Sequence, residues 1–150
     1  MTAPVTSHIQ GAFFLAYRVE VNVRASAPRI WNLLTDAQEF PRWNSTVTRI
    51  EGEIREGAKL RVHVPGTGRV FTPTVSGVVP DARMTWADGV RLIFRGVRVF
   101  ELRPTGDGST DFTMAERFSG LMVPFVKRYL PDFRPIFARY ASDLKLEAEE

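Results

Sequence analysis

At 150 residues the chain has the size of one domain and is long enough to bury roughly two-thirds of its unfolded surface. A composition 44% hydrophobic and 25% charged excludes a disordered or low-complexity segment, and the lack of cysteine excludes disulfides, thiolate nucleophiles and cysteine-based metal centres. The net charge of +3 is carried almost wholly by arginine, with Lys59, Lys127 and Lys145 the exceptions. These charges are dispersed along the chain, which argues against a nucleic-acid partner. No apolar run approaches the ~20 residues of a membrane span. Ala12 to Tyr17 is too short, and too poor in preceding basic residues, to act as a secretion signal. The expectation is one soluble, cytoplasmic domain over residues 1–150, monomeric or homodimeric.

In chain order, Leu15, Tyr17, Val19, Val21 and Val23 alternate with polar residues and predict a half-buried strand. Ser26 then offers an N-cap, with Pro28 in the first turn of a short helix ending near Asp36. A second helical turn at Gln38 to Phe40 leads into Pro41-Arg42-Trp43-Asn44. Strands follow at Thr46 to Ile54, around Leu60, Val62 and Val64, and through Phe71, Pro73 and Val75. Pro73 has no N–H for a ladder and demands an edge or a bulge. A loop separates the last two at Pro65-Gly66-Thr67-Gly68, and a short strand holding Met84 and Trp86 is expected to turn at Asp88-Gly89. Arg91 to Leu102 and Thr110 to Ser119 form the two longest strands. The period then changes. Phe133, Ile136, Phe137, Tyr140, Ala141 and Leu144 make one helical stripe, with Asp132 as its cap and Met122 to Leu130 a separate segment before it. His8 falls in an N-terminal tail, and Glu147 to Glu150 in a frayed end.

Three blocks, Pro28 to Asp36, Phe40-Pro41-Arg42-Trp43-Asn44 and Ile50-Glu51-Gly52, resemble the opening of the START and pollen-allergen-like superfamily. Met84-Thr85-Trp86, Phe94 to Leu102 and Glu116 to Gly120 are similar to its later blocks. The resemblance spans about residues 17–148 and takes in the polyketide cyclase, dehydratase and lipid-transport branch. It implies an α+β helix-grip fold: a seven-stranded antiparallel sheet curled around a long C-terminal helix, two short helices after the first strand, and a cavity between sheet and helix. Relatives carry lipids, bind hormones, cyclise polyketides or assist chaperones, so activity has to come from the site. Two departures stand out. Ser45 occupies a place where many relatives have proline, and Arg98 one where many have histidine.

Strand phase selects the site. Thr110, Phe112, Met114, Glu116 and Phe118 share the inner face of one long strand; Leu92, Phe94, Gly96, Arg98, Phe100 and Leu102 share that of the other. Each face holds one charge, Arg98 or Glu116. Pairing Leu102 with Thr110 sets Arg98 opposite Met114 and diagonal to Glu116, ~7–8 Å away and within reach of a long side chain. A carboxylate and a guanidinium on a greasy wall suit a phenol, carbonyl or carboxylate on an apolar ligand. A rim pair without a ligand is the alternative. Val62, Phe71, Val75 and Trp86 complete the sheet's lining, and Phe133, Phe137 and Tyr140 line the helix side. Trp43 and Asn44 lie where the resemblance puts the cavity mouth, although Trp43 also suits a core plug.

Other chemistries are excluded. His8 and His63 join neither a catalytic triad nor a metal cluster. Gly66-Thr67-Gly68 lacks the ending of a phosphate loop, and no carboxylates pair on an inner face as glycosidase chemistry requires. The expectation is a carrier or sensor of a small hydrophobic molecule (lipid, polyketide or aromatic) with no metal and no cofactor. One alternative is a cyclase, aromatase or dehydratase in which Arg98 polarises a carbonyl and Glu116 moves a proton; another is a partner-binding domain with a collapsed interior.

Overall fold

A computed structural model describes residues 2–66 and 68–150; Thr67, in the predicted loop after Pro65, lies outside the described residues. Two sheets and four helices follow one another as β1 (Val5–Gln10), β2 (Phe14–Val23), α1 (Ala27–Thr35), α2 (Phe40–Trp43), β3 (Arg49–Glu51), β4 (Arg61–His63), β5 (Val70–Phe71), β6 (Thr74–Val79), β7 (Arg83–Val90), β8 (Phe94–Pro104), β9 (Thr110–Ser119), α3 (Val123–Val126) and α4 (Arg134–Ala148). The large sheet is antiparallel in the order β1-β2-β9-β8-β7-β6, and a small one runs β3-β4-β5.

The seven-stranded sheet is therefore corrected to six strands plus three. Pro73 is the cause at one end, because the run through Phe71 and Val75 breaks there into β5 and β6. Backbone bonds from Leu60 N–H to Pro73 O and from Val75 N–H to Ala58 O, at 2.9 and 2.8 Å, stitch the two sheets at the break. The other end gains β1. The supposed tail around His8 pairs with β2 from Val5↔Glu20 to Gln10↔Leu15.

Two turns also differ from expectation. The Asp88-Gly89 pair lies inside β7, and the chain reverses at Arg91 to Ile93 instead. Gly89 serves a close backbone approach, since a Cβ there would lie 2.2 Å from the Phe94 carbonyl oxygen. Between β8 and β9 the loop is only residues 105–109. The Asp107 carboxylate gathers it by accepting from Ser109 Oγ and N and from Thr105 Oγ1. Those bonds, the Ser109 hydroxyl foremost, hold the Asp107 carboxyl down at about 2. The ladder consequently reaches Pro104↔Thr110, two residues further than the predicted register. A slip of two preserves every face.

The elements form for local reasons. Ser26 Oγ accepts the Arg29 N–H at the start of α1, and Ile30, Trp31 and Leu34 turn inward at helical spacing. In β2 the odd residues from Leu15 to Val23 are buried; in β9, Phe112, Met114 and Phe118 are. Helix α4 lays Phe137, Tyr140, Ala141 and Leu144 against this concave face. At about 1.5–3 kcal/mol per fully buried large apolar side chain, this stripe is a main source of stability.

The C-terminal end is tied rather than frayed. Glu149 accepts from Arg24 N and from the buried Lys145 Nζ at 2.8 and 2.6 Å, and Lys145 also donates to the Asn22 carbonyl. Burial alone would raise the Glu149 carboxyl, but the Arg24 N–H and the Lys145 ammonium together bring it down to about 2. A depressed carboxylate adds stability above its unfolded value, and that stability is lost as pH falls through the folded one. Wild-type melting temperature should therefore drop between about pH 5 and about pH 2.5 more steeply than that of Glu149→Gln. Parallel curves in a thermal-melt series against pH would show that the anchor carries no such linkage.

Candidate functional site

One cross-strand row of the concave face carries most of its polar chemistry. Successive pairings set Val75 beside Trp86, Trp86 beside Arg98, Arg98 beside Glu116, Glu116 beside Tyr17 and Tyr17 beside His8. The predicted diagonal is thus a direct opposition, with Arg98 Nε donating to Glu116 Oε1 at 2.6 Å. The guanidinium also lies 5.2 Å from the centre of the Phe137 ring. At 24% and 16% exposure the two side chains are neither sealed nor free. Water weakens such a pair relative to a buried one, yet it remains open to a second partner.

Capacity is left over on both sides. Arg98 uses only Nε for side-chain bonding among the described residues, which leaves its two terminal NH2 groups with four N–H donors. Glu116 Oε2 faces the niche left by Gly96, where a Cβ would lie 3.5 Å from that oxygen and 3.3 Å from the Phe118 ring. Phe94 stacks on Phe118 at 5.8 Å, and Phe118 on Phe133 at 5.5 Å. Phe94, Gly96, Leu130 and Phe133 are all partly exposed. The row therefore opens at this end onto an aromatic shelf.

The deeper half is densely aromatic. Tyr140 contacts Trp43, Phe100 and Phe112 at ring separations of 6.2–6.3 Å, and Trp86 meets Phe100 at 4.9 Å. Phe100, Met114, Phe137 and Tyr140 have at most 2% of their surface exposed. These rings take up part of the space between the sheet and the helix, against Phe137 and Tyr140. Two open clefts of about 570 and 670 Å3 lie elsewhere, against Ala37, Gln38, Gly52 and Glu53, and no predicted site residue lines them.

Three polar atoms in this packed region have no hydrogen-bond partner: Trp43 Nε1, Asn44 Nδ2 and Tyr140 Oη. Burial pushes the Tyr140 phenol up, against the pull of Arg98. Asn44 is otherwise engaged, its Oδ1 accepting from Thr46 N and Oγ1. The Trp86 N–H, by contrast, reaches Met84 Sδ at 3.4 Å. An orphaned buried donor costs about 1–3 kcal/mol.

The predicted residues thus separate into groups. Trp86, Arg98 and Glu116 share the row with Val75; Phe94, Phe118 and Phe133 form the open shelf; Trp43, Asn44, Phe100, Met114, Phe137 and Tyr140 are packed behind it. Val62 and Phe71 pair on the small sheet, Val62 buried and Phe71 42% exposed, so Phe71 leaves the inner lining. Its strand is a two-residue edge cut short by Pro73.

Tyr17 and His8 were missed. Their rings lie 4.9 Å apart, and Tyr17 also meets Phe133 at 5.3 Å. Burial, with the negative charge of Asp132, raises the Tyr17 phenol and keeps it protonated. Its signal was visible, since Tyr17 is the one polar-tipped residue on the inward phase of β2. Among the described residues no cluster of His, Asp and Glu is suited to hold a metal.

A curved antiparallel sheet laid over a C-terminal helix, with a polar row on the concave side, defines an α+β domain of helix-grip type. Residues 15–148 match the family model described as polyketide cyclase/dehydrase and lipid transport, and the chain belongs to that family. No curated protein matches it. Among solved structures it is similar to a START superfamily protein from Mycobacterium smegmatis, with a TM-score of 0.66, 20% identity, and 95% of this chain and 98% of that one covered. It also resembles a point mutant of norcoclaurine synthase from Thalictrum flavum in complex with a transition-state analogue. There the TM-score is 0.68 and the identity 19%, over 99% of this chain and 97% of that one. Protein MLL2253 from Mesorhizobium loti aligns with a TM-score of 0.70 at 19% identity, over 87% and 94% of the two chains. At such identities the likeness speaks for the fold alone.

Proposed function

We propose that this chain binds a small, mostly apolar molecule carrying one polar group, as a carrier or sensor. The polar group meets Arg98 and Glu116, and the apolar body lies on Phe94, Phe118 and Phe133. The carrying observation is the inward ion pair, half-open at the shelf and with donor and acceptor capacity to spare. A charge pair on a concave aromatic face adds little stability by itself, whereas it suits a carbonyl, phenol or carboxylate. Family membership supports the reading.

Native mass spectrometry of freshly purified protein should reveal a co-purified molecule. Titration with 2-naphthol and 2-naphthoate should then give saturable binding that Arg98→Met weakens more for the carboxylate. Binding of both probes unaffected by Arg98→Met and by Glu116→Gln would refute the site.

A second reading has its own observation. Glu116 pairs across the ladder with Tyr17, whose phenol is kept neutral, so a carboxylate and a neutral phenol share one row with a fixed positive charge. That set matches a cyclase or dehydratase, with Arg98 stabilising an enolate. Loss of turnover in Tyr17→Phe with probe binding retained would separate catalysis from carriage.

A further inference from the structure

One end of the molecule gathers large apolar side chains that the core does not use. Phe13 stands in the β1–β2 turn, Leu92 and Ile93 at the tip between β7 and β8, and Leu121, Met122 and Phe125 in the stretch after β9. Each is between 40% and 73% exposed. Backbone bonds hold the three segments together: Gly120 N–H to Phe13 O, Leu121 N–H to Leu92 O and Met122 N–H to Ile93 O, at 3.0, 2.9 and 2.9 Å. Scattered exposed apolar residues are ordinary, but a contiguous and braced group marks an interaction surface. Leu92 sharpens the point. It adopts φ +72, where glycine or asparagine would sit more easily, and still presents a leucine to solvent.

The charge on these three segments has one sign. Residues 11–14, 90–95 and 121–130 contain Arg91, Arg95, Lys127 and Arg128 and no Asp or Glu. None of the four forms an ion pair with a described residue. Arg128 lies over the Tyr129 ring at 4.9 Å. Apolar tips within an unneutralised basic rim fit a surface that is greasy below and anionic above.

We propose that this end docks onto an anionic lipid surface, the apolar tips entering the headgroup region and the four basic side chains meeting lipid phosphates and carboxylates. Apolar insertion and electrostatic attraction add in such binding. A second copy fits less well, because a two-fold contact would set the basic rim against itself. The surface adjoins the shelf through Ile93 and Phe94, but the proposal stands on the patch and its charge and is independent of any ligand.

Flotation with vesicles tests it. The full chain should float with vesicles of phosphatidylcholine containing about 30% phosphatidylserine, at least roughly tenfold more than with phosphatidylcholine alone, and be released near 1 M salt. Leu92→Ser with Phe125→Ser, and separately Lys127→Glu with Arg128→Glu, should each weaken flotation about tenfold or more. Leu92, Phe125 and Arg128 are exposed and Lys127 is half-buried without an ion pair, so melting temperatures should stay close to the wild type. Equal flotation with both vesicle types, or substituted proteins that float like the wild type, would overturn the proposal. So would a dimer in sedimentation equilibrium that Leu92→Ser with Phe125→Ser dissolves, which would give the patch to self-association.

Discussion

Replacing Trp43 with alanine is expected to lower stability by ~3–5 kcal/mol, because the ring is almost fully buried and a vacated core site relaxes only in part. It packs at 4.9 Å on Phe40 and meets Tyr140 edge-on, so its loss loosens α2 and α4 together. In a domain of this size the melting temperature should fall by roughly 6–20 °C. Trp43→Phe is the informative partner. It keeps most of the apolar volume while deleting the orphaned indole N–H, so stability should hold far better than in the alanine variant. Differential scanning calorimetry on both decides the matter. An unchanged melting temperature in Trp43→Ala, together with lost probe binding, would move Trp43 from the core to the ligand.

The second large effect belongs to the ion pair. Arg98→Met should cost about 1–3 kcal/mol, below the 3–5 typical of a sealed pair because water reaches this one. The loss arises from a carboxylate left facing the Phe118 and Phe133 rings without its counter-charge. Adding Glu116→Gln should restore much of that stability, while affinity for 2-naphthoate stays lost. The measurement is a double-mutant cycle by chemical denaturation, in which contacting residues reveal a coupling energy. Strict additivity would mean that the 2.6 Å bond has no energetic weight.

What could be read from the residues, and what could not, divides along locality. The inward phases of β2, β8 and β9 follow from alternation every second residue, and a wrong phase would have exposed Phe94, Phe100, Phe112, Met114 and Phe118 together. That is why Arg98 and Glu116 were placed on one face. Their direct opposition was not readable, because it depends on how many residues Asp107 gathers into the turn. Asp88-Gly89 reads as a turn signal, although the missing side chain of Gly89 instead lets the Phe94 carbonyl approach. Strand β1 hid for another reason: its large apolar residues, Val5 and Ile9, point outward, so its pattern shows no buried stripe. How densely aromatic side chains gather in the inner half is not readable either, because volume is a sum over many side chains and alternation says nothing about sums.

Strand β1 lies before the stretch that defines the family, and it occupies the flank of β2 that would otherwise bare a row of backbone donors and acceptors. Such a bare row invites pairing with any neighbouring chain. Along ten residues of β2 that invitation would be long and regular, the geometry from which stacked fibrils grow. The six residues of β1 cover it and leave a shorter margin, six residues long against ten.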